Sequence, residues 1–228
     1  MPPMERLAFD FAPWRLSGQV VGVLLNHRPA LAALGDAVHA APYKAPPKAP
    51  VLYLKPRNTQ VADGAAVAVP AGVPELEVGA ALGLVVGRTA CRVGEAQALQ
   101  HVAGLVVAAD ISVPHDRFYR PSVRLKARDG FCPLGPQVWP LAAVASPDDL
   151  AVQVAVDGRV VHETTTGDRI RPAAKLLADV SDFMTLAPGD VLLLGVSHGA
   201  PRVAAGHAVA VSASGLGTLS FTLVPEAE

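Results

Sequence analysis

Cysteine is scarce: the 228-residue chain holds two, Cys91 and Cys132, far apart and outside any metal-ligand spacing. That usage excludes a disulfide framework and fits two free thiols in a reducing compartment. Long apolar runs are missing as well. The best candidate, Val78 to Val86, is strand-sized and interrupted by two glycines, whereas a membrane helix needs roughly 18–20 apolar residues. Charge is neither abundant nor segregated, with 19 Lys and Arg against 20 Asp and Glu. A nucleic-acid groove or a membrane-surface helix would need clustered cations, so neither nucleic acid nor membrane is expected as a partner. The one short basic stretch, Arg120, Arg124, Lys126 and Arg128, suits a small di-acid better than a polyanion. The sequence shows no dinucleotide fingerprint, phosphate-binding loop or HExxH pair, and no serine-nucleophile elbow is expected. Glu5 and Asp10 stand where a secretory signal would be apolar. A cytoplasmic protein is the expectation.

The patterning that is present is mostly strand-like. Residues 1–18 read as a proline-containing leader, and residues 19–228 as one domain long enough to bury its own core. Gln19–Leu25, Val51–Leu54, Ala66–Val69, Ala80–Val86 and Val102–Asp110 read as strands, the last delivering Asp110 to its C-terminal end. Pro42–Pro50, with four prolines, reads as an extended loop, and Pro114–Gly130 as irregular. Leu150–Val161 is the clearest local signal. Its alternating runs flank Asp157-Gly158, a pair suited to a two-residue turn that needs φ > 0 twice. Helical spacing appears over Pro29–His39, Gly94–Gln100 and Arg171–Met184, the last turning Leu176, Leu177, Val180 and Phe183 to the core. Pro188-Gly189-Asp190 turns into Val191–Leu194, and Ala208–Ser212 and Thr218–Val224 close the chain as strands. The fold class is therefore mainly β with a few helices.

Several segments fall in an order that resembles the fumarylacetoacetate hydrolase family. They are Lys55-Pro56, Gly87-Arg88, the run Val102-Ala103-Gly104 leading to Asp110, and Lys126-Ala127-Arg128-Asp129. Pro133-Leu134-Gly135-Pro136, Leu150–Arg159, Leu186–Asp190 and Gly215–Leu219 continue the order, so the likeness runs from about Gln19 to Val224. Leu25-Asn26-His27-Arg28, the Pro42–Lys48 segment, Phe118-Tyr119-Arg120-Pro121 and Arg128–Pro133 are similar to one subgroup. It comprises the N-terminal halves or separate subunits of isomerase/decarboxylases from homoprotocatechuate (4-hydroxyphenylacetate) breakdown. The resemblance implies a distorted β-sandwich roll. The implied substrates are 2-oxo and 2-hydroxydienoic diacids from aromatic ring cleavage. The implied assembly is a homo-oligomer, or a hetero-oligomer with a metal-bearing sibling.

Chemistry on a 2-oxo acid builds charge on an enolate oxygen, which a chelated Mg²⁺ or Mn²⁺ stabilises in the family. The resemblance implies a Glu-x-Glu pair and an Asp as ligands. Here the two glutamate positions are Gly79 and Ala81, while Asp110 matches the third. Glu75 and Glu77 stand upstream at an even register, and Asp110 could equally serve a local hydrogen bond. The family's His and Glu base pair falls on Ala30 and Ala33, and its Gly-Thr-Pro becomes Gly195-Val196-Ser197, which removes a substrate-contacting hydroxyl implied by the resemblance unless Ser197 substitutes. The expectation is that this chain holds no metal tightly and has no assignable catalytic residue. What remains is a binding set: Tyr119, Arg120, Lys126 and Arg128 for carboxylates, and Thr166 at the pocket border. Three readings stay open: an isomerase/decarboxylase subunit, a non-catalytic partner of a metal-complete sibling, or a ligand-binding or sensing module that keeps the diacid pocket without turnover.

Overall fold

The computed structural model describes residues 18–116 and 122–227. Along the chain the strands are β1 (Val20–Leu24), β2 (Val51–Lys55), β3 (Gln60–Val61), β4 (Ala66–Val69), β5 (Leu76–Val86), β6 (Val102–Ser112) and β7 (Cys132–Pro133). Then follow β8 (Trp139–Pro140), β9 (Ala151–Val156), β10 (Arg159–Thr165), β11 (Val191–Leu193), β12 (Arg202–Val203), β13 (Ala208–Ala213) and β14 (Gly217–Pro225). The helices are short: α1 (Arg28–Ala32), α2 (Glu95–Ala98), α3 (Val123–Lys126) and α4 (Ala173–Ser181).

Two sheets carry the fold. The larger runs β2-β1-β11-β5-β6-β8, with β12 added to β5; the second runs β10-β9-β13-β14-β4. Strands β5 and β6 form an antiparallel pair with Gly79 opposite Asp110 and Glu77 opposite Ser112. Both faces of this pair are buried. Leu76, Val78, Leu82 and Leu84 join Val107, Ile111 and side chains of β9, β13, β14 and α4 in the main core between the sheets. The opposite face, with Ala81, Val85, Val106 and Ala108, packs on Cys132, Leu134 and Val138. Period two along β5 therefore puts Glu77, Gly79 and Ala81 on one face, and Asp110 joins them across the ladder.

The hairpin expected at Asp157-Gly158 forms, with φ of 49° and 80° at the two turn residues, as a type I′ turn requires. Two expectations need correction. The Pro29–His39 segment is not one helix: α1 ends at Ala32, and a 3₁₀ turn follows from Gly35, which sits at φ 51° and breaks the helical path. Phe183 does not face the core. Helix α4 stops at Ser181, so Leu176, Leu177 and Val180 are buried while Phe183, past the end, is 67% exposed. Strand β6 also continues two residues beyond Asp110, which places that carboxylate inside the sheet.

Candidate functional site

The C-terminal ends of β1, β11 and β6 and the N-terminal end of β5 lie at one edge of the large sheet. They open there into a cleft of about 460 Å³. Its walls include Leu25, Ala30 and Ala33 on one side and Val196, Ser197 and His198 on another, with Glu77, Asp110, His115, Asp116, Lys126 and Arg202 supplying polar groups. The positions Ala30 and Ala33, where the family's base pair would stand, do border this cleft.

Asp110 lies on its floor and is 2% exposed. Lys55 Nζ stands 2.7 Å from Oδ1, Lys126 Nζ donates to Oδ2 at 3.0 Å, and the Tyr53 hydroxyl donates to Oδ2 as well. The Lys55 ammonium gives its N–H groups to the carbonyls of Ile111, Lys126 and Phe131 at 2.7–2.9 Å. It therefore meets Oδ1 as a charge rather than as an aligned donor, and Oδ1 has no hydrogen-bond partner of its own. Lys126 Nζ sits 4.7 Å above the Tyr53 ring, a cation–π contact. Burial alone would raise the Asp110 pKa; Lys126, Lys55 and Tyr53 outweigh it and hold the carboxyl well below its ordinary range. Burial and the neighbouring Asp110 charge push the Tyr53 phenol well up, and burial pulls the Lys55 ammonium down. Burial also pushes the Cys132 thiol up to about 12, in keeping with an inert apolar side chain.

A divalent cation does not fit this arrangement. Among the described residues no three His, Cys, Asp or Glu side chains converge. Asp110 is already neutralised by two ammonium groups, and a cation at its oxygens would face both. The space beside Gly79 is taken: a Cβ there would lie 2.5 and 2.7 Å from the two Val196 methyls. Glu77 shares the face of Gly79 and borders the cleft, so the even register holds, yet it completes no ligand set.

The expected binding residues divide. Lys126 is buried at the cleft floor. Arg128 does not border the cleft, and its Nε donates to the Arg124 carbonyl at 3.2 Å. Thr166 is buried, accepts from the Leu150 amide at 2.9 Å, and borders a separate small cavity with Asn26, His27 and Arg169. Tyr119 and Arg120 lie outside the described residues. Sequence reading missed Tyr53 and Lys55 as site residues, although their i, i+2 spacing on β2 was a signal for one face. It also missed Arg202, which β12 sets directly opposite Glu77.

A further group lies on the loop after β11. Gly195-Val196-Ser197-His198-Gly199 has the G-x-S-x-G spelling, which corrects the expectation that no such motif occurs. His162 Nε2, from β10, lies 2.7 Å from Ser197 Oγ. His27 Nδ1 accepts from the His198 amide at 3.1 Å, and Asn26 Nδ2 donates to the Leu194 carbonyl at 3.0 Å. Gly195 takes φ 100°, which lets the backbone pass close to Val23 and Asn26. These contacts fix the loop so that Ser197 borders both the cleft and the small cavity.

Comparison with known proteins agrees with the architecture. The chain is 40% identical over 213 residues to the 4-hydroxyphenylacetate degradation bifunctional isomerase/decarboxylase of Escherichia coli, covering 93% of this chain and 48% of that one. It thus spans about half the length of that relative. It superposes on a 5-carboxymethyl-2-hydroxymuconate delta-isomerase from Mycobacterium smegmatis with a TM-score of 0.79 and 27% identity, covering 94% and 81% of the two chains. For a fumarylpyruvate hydrolase from Pseudomonas aeruginosa, solved in complex with Mn²⁺ and pyruvate, the values are 0.78, 25%, 91% and 90%. No helix among the described residues is long and apolar enough to cross a membrane. The Fumarylacetoacetate (FAA) hydrolase C-terminal family matches residues 19–224, and the chain belongs to the fumarylacetoacetate hydrolase family.

Proposed function

We propose that this chain is a subunit of the isomerase/decarboxylase type that binds a 2-oxo or 2-hydroxydienoic diacid in the cleft, and that the metal-dependent step belongs to a metal-bearing sibling. The observation that carries this reading is the state of Asp110. The cleft is bordered by Asp110, Ala30 and Ala33, the positions to which the resemblance assigns a metal ligand and a base pair, and it keeps two cationic groups, Lys126 and Arg202, for carboxylates. Yet its one matching metal ligand is held by Lys55, Lys126 and Tyr53. Val196 covers the position of one lost glutamate. A substrate carboxylate can pair with the Lys126 ammonium at this floor, whereas a chelated cation would face that ammonium and Lys55.

Chelator-stripped protein titrated with Mg²⁺ and Mn²⁺, then assayed by ultraviolet absorbance on the dienoic diacid, tests the reading. The expected result is diacid binding, no metal binding, and metal-dependent turnover only when a metal-complete relative is added. Metal-dependent turnover by this chain alone would sink the division of labour. Failure to bind the diacid at all would sink the substrate assignment.

A further inference from the structure

We propose that Ser197 and His162 form a metal-independent proton-transfer pair in the cleft, with Ser197 as the residue that touches substrate and His162 as the base behind it. The inference rests on the diacid reading above and extends it to a named proton path.

Three observations carry it. Ser197 borders the cleft, and its hydroxyl meets His162 Nε2 at 2.7 Å, the distance required of a hydroxyl and its base. Its loop is held by Asn26 and His27, so the hydroxyl is positioned rather than free to drift. Its neighbour Val196 packs on Gly79, directly opposite Asp110, and Ser197 lines the same cleft as Lys126. Burial, then the nearby His198, pulls the His162 pKa down, which favours the neutral ring a base needs.

Isomerisation of a 2-hydroxydienoate to its 2-oxo form needs only proton movement. The enol proton passes to Ser197 Oγ as Ser197 passes its own proton to His162 Nε2. The C–O bond gains double-bond character, and the diene electrons shift to a substrate carbon. That carbon takes a proton back through Ser197 from the His162 imidazolium. No atom is gained or lost, and the pair ends as it began. The Lys126 ammonium at the cleft floor favours the transient enolate.

A covalent serine-hydrolase role is the rival use of the same spelling, and the geometry disfavours it. A nucleophile elbow joins a strand to a helix and offers the next amide to an oxyanion. Here no helix follows Ser197, and the next amide, that of His198, already donates to His27.

The test uses 2-oxoadipate in D₂O with chelator present, reading hydrogen–deuterium exchange at its C3 by NMR and its binding by calorimetry. Wild-type protein is expected to bind the probe and accelerate exchange. Ser197→Ala and His162→Asn are expected to lose at least about tenfold in exchange, a conservative share of the usual acid–base contribution, while still binding. Ser197→Thr, which keeps a hydroxyl, is expected to restore most of the rate, which a purely structural role would not predict. Probe binding without exchange in the wild type, or full exchange in His162→Asn, overturns the pair but leaves the diacid reading standing. No probe binding overturns both. Stoichiometric labelling of Ser197 by a fluorophosphonate would replace proton transfer with a nucleophilic role.

Discussion

Removing the Asp110 charge gives the sharpest test of how the cleft floor is built. In Asp110→Asn the Lys55 and Lys126 ammoniums lose their shared counter-ion, with side chains only 0% and 7% exposed. Losing one partner of a buried ion pair costs about 3–5 kcal/mol, because the remaining charge stays buried. Here two like charges are left, so the upper half of that range is expected, although Asn can still accept from Tyr53. Against a typical stability of about 5–15 kcal/mol, that is a large share. With a urea slope of about 2 kcal/mol/M, the unfolding midpoint should fall by about 2 M. Adding Lys126→Met removes one ammonium without touching the three carbonyls that Lys55 satisfies. The double variant should therefore regain about 1 kcal/mol or more. A loss below about 1 kcal/mol in Asp110→Asn, or a double variant no more stable than the single, would refute the account of a floor held by charge.

Acid should act on the same residue. The folded Asp110 carboxyl lies below its ordinary 3.8, so its stabilisation is complete above that value and is lost as pH falls through and below it. Denaturant melts from pH 6 to pH 2 should show this, with a shallower dependence in Asp110→Asn. Thr166→Val should cost about 1–2 kcal/mol, because the buried Leu150 amide loses its acceptor, while calorimetric diacid binding stays unchanged; weakened binding at equal stability would return Thr166 to the pocket. Gly79→Glu with Ala81→Glu should fail to bind Mn²⁺ in titration calorimetry, and adding Val196→Ala should be needed before any binding appears; tight binding by the first pair alone would show that Val196 is no obstacle.

Much of the fold was legible because its signals are local. The Asp157-Gly158 turn, the strands over Ala80–Val86 and Val102–Asp110, and the apolar face of α4 each follow from a few adjacent residues. The errors arose where a terminus decided the outcome. Phe183 continues the helical period of α4 but falls past its end, and Gly35 stops a helix whose apolar spacing runs on to Val38. The site was legible only in part. Asp110 and Lys126 were found through family likeness. Two further residues that, with Lys126, determine the state of Asp110 are Tyr53, 57 positions away, and Lys55. The Ser197–His162 contact spans 35 positions. No local pattern encodes such pairings; they exist because β2, β10 and the loop after β11 converge on one end of the sheet.

That convergence also ties the metal-ligand positions implied by the family resemblance to the loop that packs against them. Glutamate at position 79 would collide with the two Val196 methyls, and in a chain that keeps Val196 that side chain must rotate or the loop after β11 must move. The loop is pinned on both flanks, by Asn26 at Leu194 and by His27 at His198. Moving Val196 therefore moves Ser197, the next residue, away from His162. A variant that keeps Val196 and gains chelation by displacing this loop should therefore weaken the Ser197–His162 contact, whereas one that gains it through Val196→Ala should keep that contact. The absence of the family's glutamates is in this sense part of a packed alternative: a cleft whose floor is charged by lysines and whose hydroxyl is held against a histidine.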